Sequence, residues 1–260
     1  MPDLSIIIVS YNARADLERC LESITAHPPG VPHEIVVVDN QSTDGSTAAV
    51  RRWPEVKVID AGGNLGFARA NNIGIRATSG VFLLLLNSDT IVPPGAIDRL
   101  VAALARHPDT AVVGPRLVDG QGRAELSFGP MLGPFSELWR KLSNRPRIVE
   151  RATRLPHTPD WVTGACLLVR RQDAEAVGLL DERYFMYTED VDFCAAIRAR
   201  GRKIRFTPEV EFVHLRGRSA ATAPEATRRA YRRSQVAFYE KHHPAWAPAL
   251  RLYLWIRGQL

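Results

Sequence analysis

Cysteine is scarce in this chain. Cys20, Cys166 and Cys194 are three in number and far apart. That spacing excludes a disulfide framework and a cysteine-built metal cluster. It points to reduced, buried thiols and a cytosolic setting. Long apolar runs are also missing: none reaches the roughly 20 residues of a membrane-spanning helix. The first residues run straight into L-S-I-I-I-V-S, without the flanks of a signal peptide. There is no internal repeat and no low-complexity segment. Nor does a G-x-G-x-x-G loop follow the first apolar run, which argues against a dinucleotide-binding oxidoreductase.

An apolar share of 45% supplies a full core, and 260 residues suit one large domain or a domain with an appendage. The net charge of +6 is unevenly placed. From Leu215 onward nine Lys and Arg face two acids, a net +7, which leaves −1 for Met1–His214. The basicity therefore belongs to the tail, and a basic tail seeks an anionic partner. No aromatic and basic reading module accompanies it, so nucleic acid is not the expected partner.

The centre of the chain is V-F-L-L-L-L-N-S-D-T, Val81–Thr90. Its apolar run reads as a strand buried on both faces. It stops at Asn87-Ser88-Asp89, where a polar turn or a ligand site can follow. Similar runs at Leu4–Val9, Glu34–Val38 and Val56–Ile59 alternate with helical patterns at Asp16–Ala26, Ser46–Trp53, Phe67–Thr78 and Pro94–His107. Strands alternating with helices predict a mostly parallel sheet with helices on both faces. Asp39, Asn64–Arg69 and Asp89 then fall in loops on one edge of that sheet.

The second half is less regular. Val112–Val118, Val162–Val169, Ile204–Phe206 and Val210–His214 read as strands, and Phe135–Leu142 as a short helix. Gly120–His157, rich in Gly, Pro and Arg, is a candidate for shaping an acceptor pocket. Thr188 is placed to cap a helix that runs to Arg200 and stops at Gly201. Glu189, Asp190 and Asp192 crowd its first turn. Helix dipoles favour carboxylates there, but the flanking Y-F-M-Y-T suggests a partly dry cleft in which a carboxylate acts as a general base. His214 ends a strand as a core residue or as a metal ligand beside Asp89.

Taken in order, S-I-I-I-V-S-Y-N, V-V-V-D-N-Q-S-T-D-G-S, G-G-N-L-G-F-A-R-A-N-N-I-G-I, L-N-S-D-T, T-G-A-C-L-L-V-R-R and F-M-Y-T-E-D-V-D-F-C resemble the family 2 inverting glycosyltransferases of GT-A fold. The bacterial rhamnosyltransferase-like enzymes of cell-surface polysaccharide synthesis are the nearest match. The resemblance runs from Leu4 to about Arg218. It implies a Rossmann-like, mixed and mostly parallel sheet in residues 1–218, with a donor half (1–118) and an acceptor and catalytic half (119–218). Residues 219–260 form basic amphipathic helices.

The resemblance also implies roles. Tyr11 and Asp39 hold the nucleotide base, and Asn64 and Arg69 lie near the ribose and diphosphate. Asn87-Ser88-Asp89 stands where the family has D-x-D, with Asn87 in place of the first Asp. Asp89 and His214 bind Mg²⁺ or Mn²⁺. Asp190 is the general base, a choice over Asp192 that spacing cannot make. Glu189, Asp192, Trp161 and Gly164 lie on the acceptor side. Arg216-Gly217-Arg218 is a loop able to close over the donor.

The implied enzyme is a hexosyltransferase moving a sugar, L-rhamnose from dTDP-rhamnose being one candidate, to a glycan or polyprenyl-linked acceptor. A UDP-hexose donor is the alternative, and a non-catalytic nucleotide-binding module a further one, against which intact Asp89 and Asp190 argue. In the tail, Glu225–His243 places Arg228, Arg229, Arg232 and Arg233 on one side and Ala230, Tyr231, Ala237 and Phe238 on the other, with Val236 and Tyr239 intruding. W-A-P-A-L-R-L-Y-L-W-I-R follows. Two readings stand: a helix lying on an anionic membrane surface at the cytosolic face, or one packed on protein.

Overall fold

The computed structural model describes residues 2–133, 145–215 and 224–259. The expected helix at Phe135–Leu142 and the Arg216-Gly217-Arg218 loop lie outside them.

Eleven strands are formed among the described residues: β1 Leu4–Ser10, β2 His33–Asp39, β3 Val56–Asp60, β4 Phe82–Asn87, β5 Thr90–Ile91, β6 Thr110–Val118, β7 Ala124–Glu125, β8 Phe128–Gly129, β9 Trp161–Val162, β10 Cys166–Arg170 and β11 Lys203–His214. Nine of them build one sheet in the order β3-β2-β1-β4-β10-β6-β11-β5, with β7 on β6; β8 and β9 form a separate pair. Strands β3, β2, β1 and β4 run parallel. The intervening β10 runs against both β4 and β6, and β11 is parallel to β6. The sheet is thus mixed, as expected, and its parallel half carries the chain's continuous apolar runs.

Alternation along the strands explains why those runs are unbroken. Ile6, Ile8, Leu84 and Leu86 face one core, and Ile7, Leu83 and Leu85 the other. The first core is closed by α1 (Arg14–Thr25) and α4 (Ala96–Ala105) through Leu17, Leu21, Leu100 and Leu104. The second is closed by α3 (Phe67–Arg76) and by the helix Glu189–Ala199, through Ile75, Phe193 and Ile197. Between these elements lie short helices: α2 Ser46–Val50, α5 Pro146–Ala152 and α6 Arg171–Ala176, so Glu189–Ala199 is α7. All three cysteines are buried and unbridged. No helix among the described residues is long and apolar enough to cross a membrane.

Three expectations need correction. The segment Val162–Val169 is two strands, not one. Residues 163–165 leave the sheet so that Gly164 N–H donates to Asp190 Oδ2 (2.8 Å), while Thr163 N–H donates to the Ser127 carbonyl (2.9 Å). Conversely, Ile204–Phe206 and Val210–His214 are one strand. The register jumps from Thr207↔Pro115 to Glu211↔Arg116, a bulge that accommodates Pro208, which has no N–H to offer the ladder. Finally, Thr188 occupies the cap position of α7 but does not cap with its side chain. It sits at φ 67° with its hydroxyl donating to the Tyr187 carbonyl (2.6 Å).

The tail continues the fold. The helix Pro224–His242 (α8) buries Ser234, Gln235, Val236, Phe238 and Tyr239, and Phe238 and Tyr239 pack with Tyr184 and Val191. Arg228, Arg229 and Arg233 face solvent. The intruding Val236 and Tyr239 are part of its buried face. The last helix, Ala247–Ile256 (α9), buries Ala247 and Leu254 but exposes Leu252, Tyr253, Trp255 and Ile256.

Candidate active site

Strands β1, β2 and β4 end level. Ser10 pairs with Asp39, and Val9 with Asn87. Parallel strands therefore present Asp39, Asn87 and the residues just beyond them on a single edge, where α/β sheets bind ligands.

At the β2 end, Asp39 is buried. Its Oδ2 accepts from Ser42 N–H (3.1 Å), and its Oδ1 has no hydrogen-bond partner among the described residues. An unpaired buried carboxylate oxygen is costly. Asn40 Nδ2 donates to Asn64 Oδ1 (2.9 Å), and Leu65 N–H donates back to Asn40 Oδ1 (2.8 Å). Those two bonds join the glycine loop to the end of β2. Gly66 then turns the chain at φ 84°, where a Cβ would collide with the Phe185 carbonyl oxygen. The next residue, Phe67, donates its N–H to that same oxygen (2.7 Å). Tyr11, just past β1, is exposed. Arg69, expected beside a diphosphate, is engaged by Glu182 (Nε–Oε2 3.0 Å), which also accepts from Asn72 and Arg76.

At the β4 end, Asp89 Oδ1 lies 3.3 Å from His214 Nε2, and Asn87 Nδ2 lies 3.5 Å from the same nitrogen. Ser88 between them is partly buried. Leu215 N–H donates to the Asp89 carbonyl (2.9 Å), which pins the end of β11 to the end of β4. On the far side of the ring, His214 Nδ1 is 3.0 Å from Glu125 Oε2. Burial alone lowers the imidazole's proton affinity, but hydrogen bonds to Asp89 and Glu125 outweigh it and lift the pKa to about 9. Glu125 escaped sequence reading. The turn D-G-Q-G marks a hairpin after Val118, yet nothing in it announces a carboxylate that reaches a histidine 89 positions later.

Two oxygen and nitrogen donors on one divalent ion, about 2.1 Å from it and at right angles, are about 3 Å apart. The Asp89–His214 distance suits such an ion. Among the described residues no three His, Cys, Asp or Glu side chains form a metal cage. The pair thus fits an ion that takes its other ligands from substrate phosphate and water.

The third group is the first turn of α7. Asp190 keeps partial access to the cleft, accepting from Gly164 N–H at Oδ2 and from Val191 N–H at Oδ1, both at 2.8 Å. Burial pushes its carboxyl above the ordinary range against the lowering effect of those backbone donors. A Cβ at Gly164 would crowd the Phe67 ring at 3.1 Å and touch Asp190 at an ordinary 3.5 Å. Ala165, its neighbour, accepts from Asn87 N–H (3.0 Å). Adjacent residues on one strap therefore hold the first turn of α7 and the β4 end together.

The other two carboxylates differ. Glu189 is 5% exposed, and its Oε2 has no hydrogen-bond partner among the described residues. Burial and the nearby Asp190 raise its carboxyl well above the ordinary range. Asp192 is 1% exposed and fully engaged: Oδ1 by His242 Nε2 (2.6 Å) and Tyr184 hydroxyl (3.3 Å), Oδ2 by Lys241 Nζ (2.8 Å). Through these bonds it grips the tail. Trp161 donates its indole N–H to the Pro130 carbonyl (2.8 Å) and packs between the second core and α8.

This fold, a mixed and mostly parallel sheet with helices on both faces, is that of the GT-A glycosyltransferases. A mannosyltransferase from Pyrobaculum calidifontis, solved with GDP-Man and Mn²⁺, shares it at a TM-score of 0.67 and 22% identity, over 96% of this chain and 68% of that one. Residues 5–178 match the model of Glycosyl transferase family 2, and the chain belongs to that family. It is 32% identical over 99% of its length, and 94% of the relative's, to the N-acetylglucosaminyl-diphospho-decaprenol L-rhamnosyltransferase of Mycobacterium tuberculosis. It is also 25% identical, over 80% of this chain and 82% of the relative, to the rhamnosyltransferase WbbL of Escherichia coli. The protein is accordingly a glycosyltransferase.

Glu189 generates a prediction. Above the ordinary value of 4.5 the unfolded chain has lost this proton while the folded chain retains it, so stability falls as pH rises through that window. Glu189→Gln removes the penalty and keeps the shape. Its melting temperature is expected to exceed wild type at pH 8, with the gain shrinking toward pH 4.5. An equal or lower value at pH 8 contradicts the assignment.

Proposed function

We propose that this glycosyltransferase moves L-rhamnose from dTDP-rhamnose to a polyprenyl diphosphate-linked sugar by one inverting displacement, with Mg²⁺ or Mn²⁺ bound at Asp89 and His214. One observation carries the choice of substrates: the likeness to the mycobacterial rhamnosyltransferase spans nearly the whole of both chains. The likeness to a second rhamnosyltransferase agrees with it.

The residues divide the work. Asp39 Oδ1, buried and unpaired, accepts the base N–H of the nucleotide, with Tyr11 beside the base. Asn64 borders the ribose. Arg69 exchanges Glu182 for diphosphate oxygen, a charge-assisted contact. Asn87, Ser88 and Asp89 line the diphosphate end. The ion supplies charge neutralisation for the departing nucleoside diphosphate. Asp190 takes the proton from the acceptor hydroxyl. The acceptor oxygen forms its bond to the anomeric carbon as the bond to phosphate breaks, and the electron pair leaves with the nucleoside diphosphate. A raised carboxyl suits this task because a stronger base shares the proton earlier. Glu189, Trp161 and Gly164 shape the acceptor side, and Asp192 fixes the turn that presents Asp190.

The acceptor's lipid places the enzyme on a membrane, at the cytosolic face. Helix α9 meets that need. Trp255 is 71% exposed and Ile256 69%, beside Leu252 and Tyr253, with Arg257 just past the helix end. Exposed aromatic and aliphatic side chains with arginine neighbours suit an anionic bilayer surface.

Two experiments test these readings. Asp190→Asn is expected to bind dTDP-rhamnose as wild type does while transfer to a polyprenyl-diphosphate sugar falls about 10²- to 10⁴-fold; normal transfer by this variant moves the base elsewhere. Removing residues 245–260 is expected to lower the fraction sedimenting with phosphatidylglycerol vesicles. Unchanged sedimentation, or a shift from dimer to monomer without vesicle binding, sinks the membrane role.

A further inference from the structure

We propose that Glu125 is a positioning residue of the metal site: it orients His214 so that Nε2 faces the ion held with Asp89. This rests on the metal reading given above, and goes beyond it to a residue that touches neither ion nor substrate.

A histidine binds a metal through one ring nitrogen, and the group on its other nitrogen decides which one. His214 Nδ1 lies 3.0 Å from Glu125 Oε2, and Nε2 lies 3.3 Å from Asp89 Oδ1. A carboxylate accepts only, so Nδ1 carries a hydrogen and donates it. Without metal, Nε2 faces the Asp89 carboxylate as a donor; where a cation replaces that proton, the hydrogen kept on Nδ1 by Glu125 leaves the Nε2 lone pair for the ion. Without Glu125 the ring has two tautomers and can rotate about its bond to Cβ.

The fold makes this support rigid. Glu125 is buried in β7, directly across from Leu117 of β6. The preceding turn is locked by Asp119, whose carboxylate accepts from the N–H groups of Gln121 and Arg123 and from Arg123 Nε. β6 in turn pairs Val118 with Val213, the residue before His214. Carboxylate and imidazole thus stand on two strands that flank the same central one. A carboxylate is buried at a cost unless it is paired, and pairing with His214 places that cost where it fixes a ligand.

The test is Mn²⁺ binding by full-length protein, followed by electron paramagnetic resonance of free Mn²⁺ in the presence of dTDP. Metal-free thermal unfolding and metal-free dTDP affinity are measured alongside. Glu125→Ala is expected to weaken Mn²⁺ binding about 10- to 100-fold, with dTDP affinity in the absence of metal unchanged. Glu125→Gln keeps an acceptor oxygen for Nδ1 and should lose less. Wild-type Mn²⁺ affinity in the folded alanine variant overturns the proposal. If the alanine variant does not fold, Glu125→Gln decides: weakened binding supports the role, and binding equal to wild type overturns it. Failure of wild type itself to bind Mn²⁺ with dTDP is a different result, which removes the metal reading and this proposal with it.

Discussion

The contact between Asp89 and His214 is the constraint on which the site depends. Asp89 follows the central parallel strand; His214 ends the long strand that reaches the other side of the sheet. The side chains meet at 3.3 Å because the backbone is already tied, Leu215 N–H to the Asp89 carbonyl and His214 in register with Thr90. Each half of the sheet alone offers one donor. The assembled sheet brings the two together, with Glu125 behind the imidazole and Asn87 beside it.

The turn that presents Asp190 has a different support. Tyr187 and Thr188 both take left-handed backbone conformations, at φ 69° and 67°, unfavourable for residues with side chains. The tail holds them there. Ser234 donates to the Met186 carbonyl (2.7 Å), Tyr231 contacts the Tyr187 ring edge-on at 6.0 Å, and Lys241 and His242 bind Asp192 one turn further on. Lys241 also reaches Asp181 (2.8 Å), so a single amine spans both ends of the loop before α7. The basic tail is therefore part of the support of this turn, with α8 clamping it and α9 carrying the exposed apolar face.

Much of this fold is legible in the sequence. Runs such as Ile6–Val9 and Leu83–Leu86 declare strands buried on both faces, and the intervening helical spacing orders the layers. The breaks were harder to read. A proline at 208 looks like an end, but a bulge carries the strand past it. Val162–Val169 looks continuous, yet its middle is diverted to hydrogen-bond Asp190, a partner 26 positions away. Within the site, Asp89, Asp190 and His214 were visible from motif and resemblance. Asp192 and Asp190 were not separable by spacing, because both sit in one helical turn; their difference arises from what faces them, a glycine N–H in one case and the tail's lysine and histidine in the other. Glu125 carries no local signal at all, since its role comes from pairing across the sheet.

The central claim is that Asp89 and His214 form one metal-dependent diphosphate site. The most direct measurement is calorimetric titration of dTDP into wild type, Asp89→Asn and His214→Gln, each with and without Mn²⁺. The account predicts that Mn²⁺ tightens dTDP binding in wild type and that this gain disappears in both variants, while metal-free affinity is preserved. A gain from Mn²⁺ that survives both substitutions would place the ion elsewhere and contradict it.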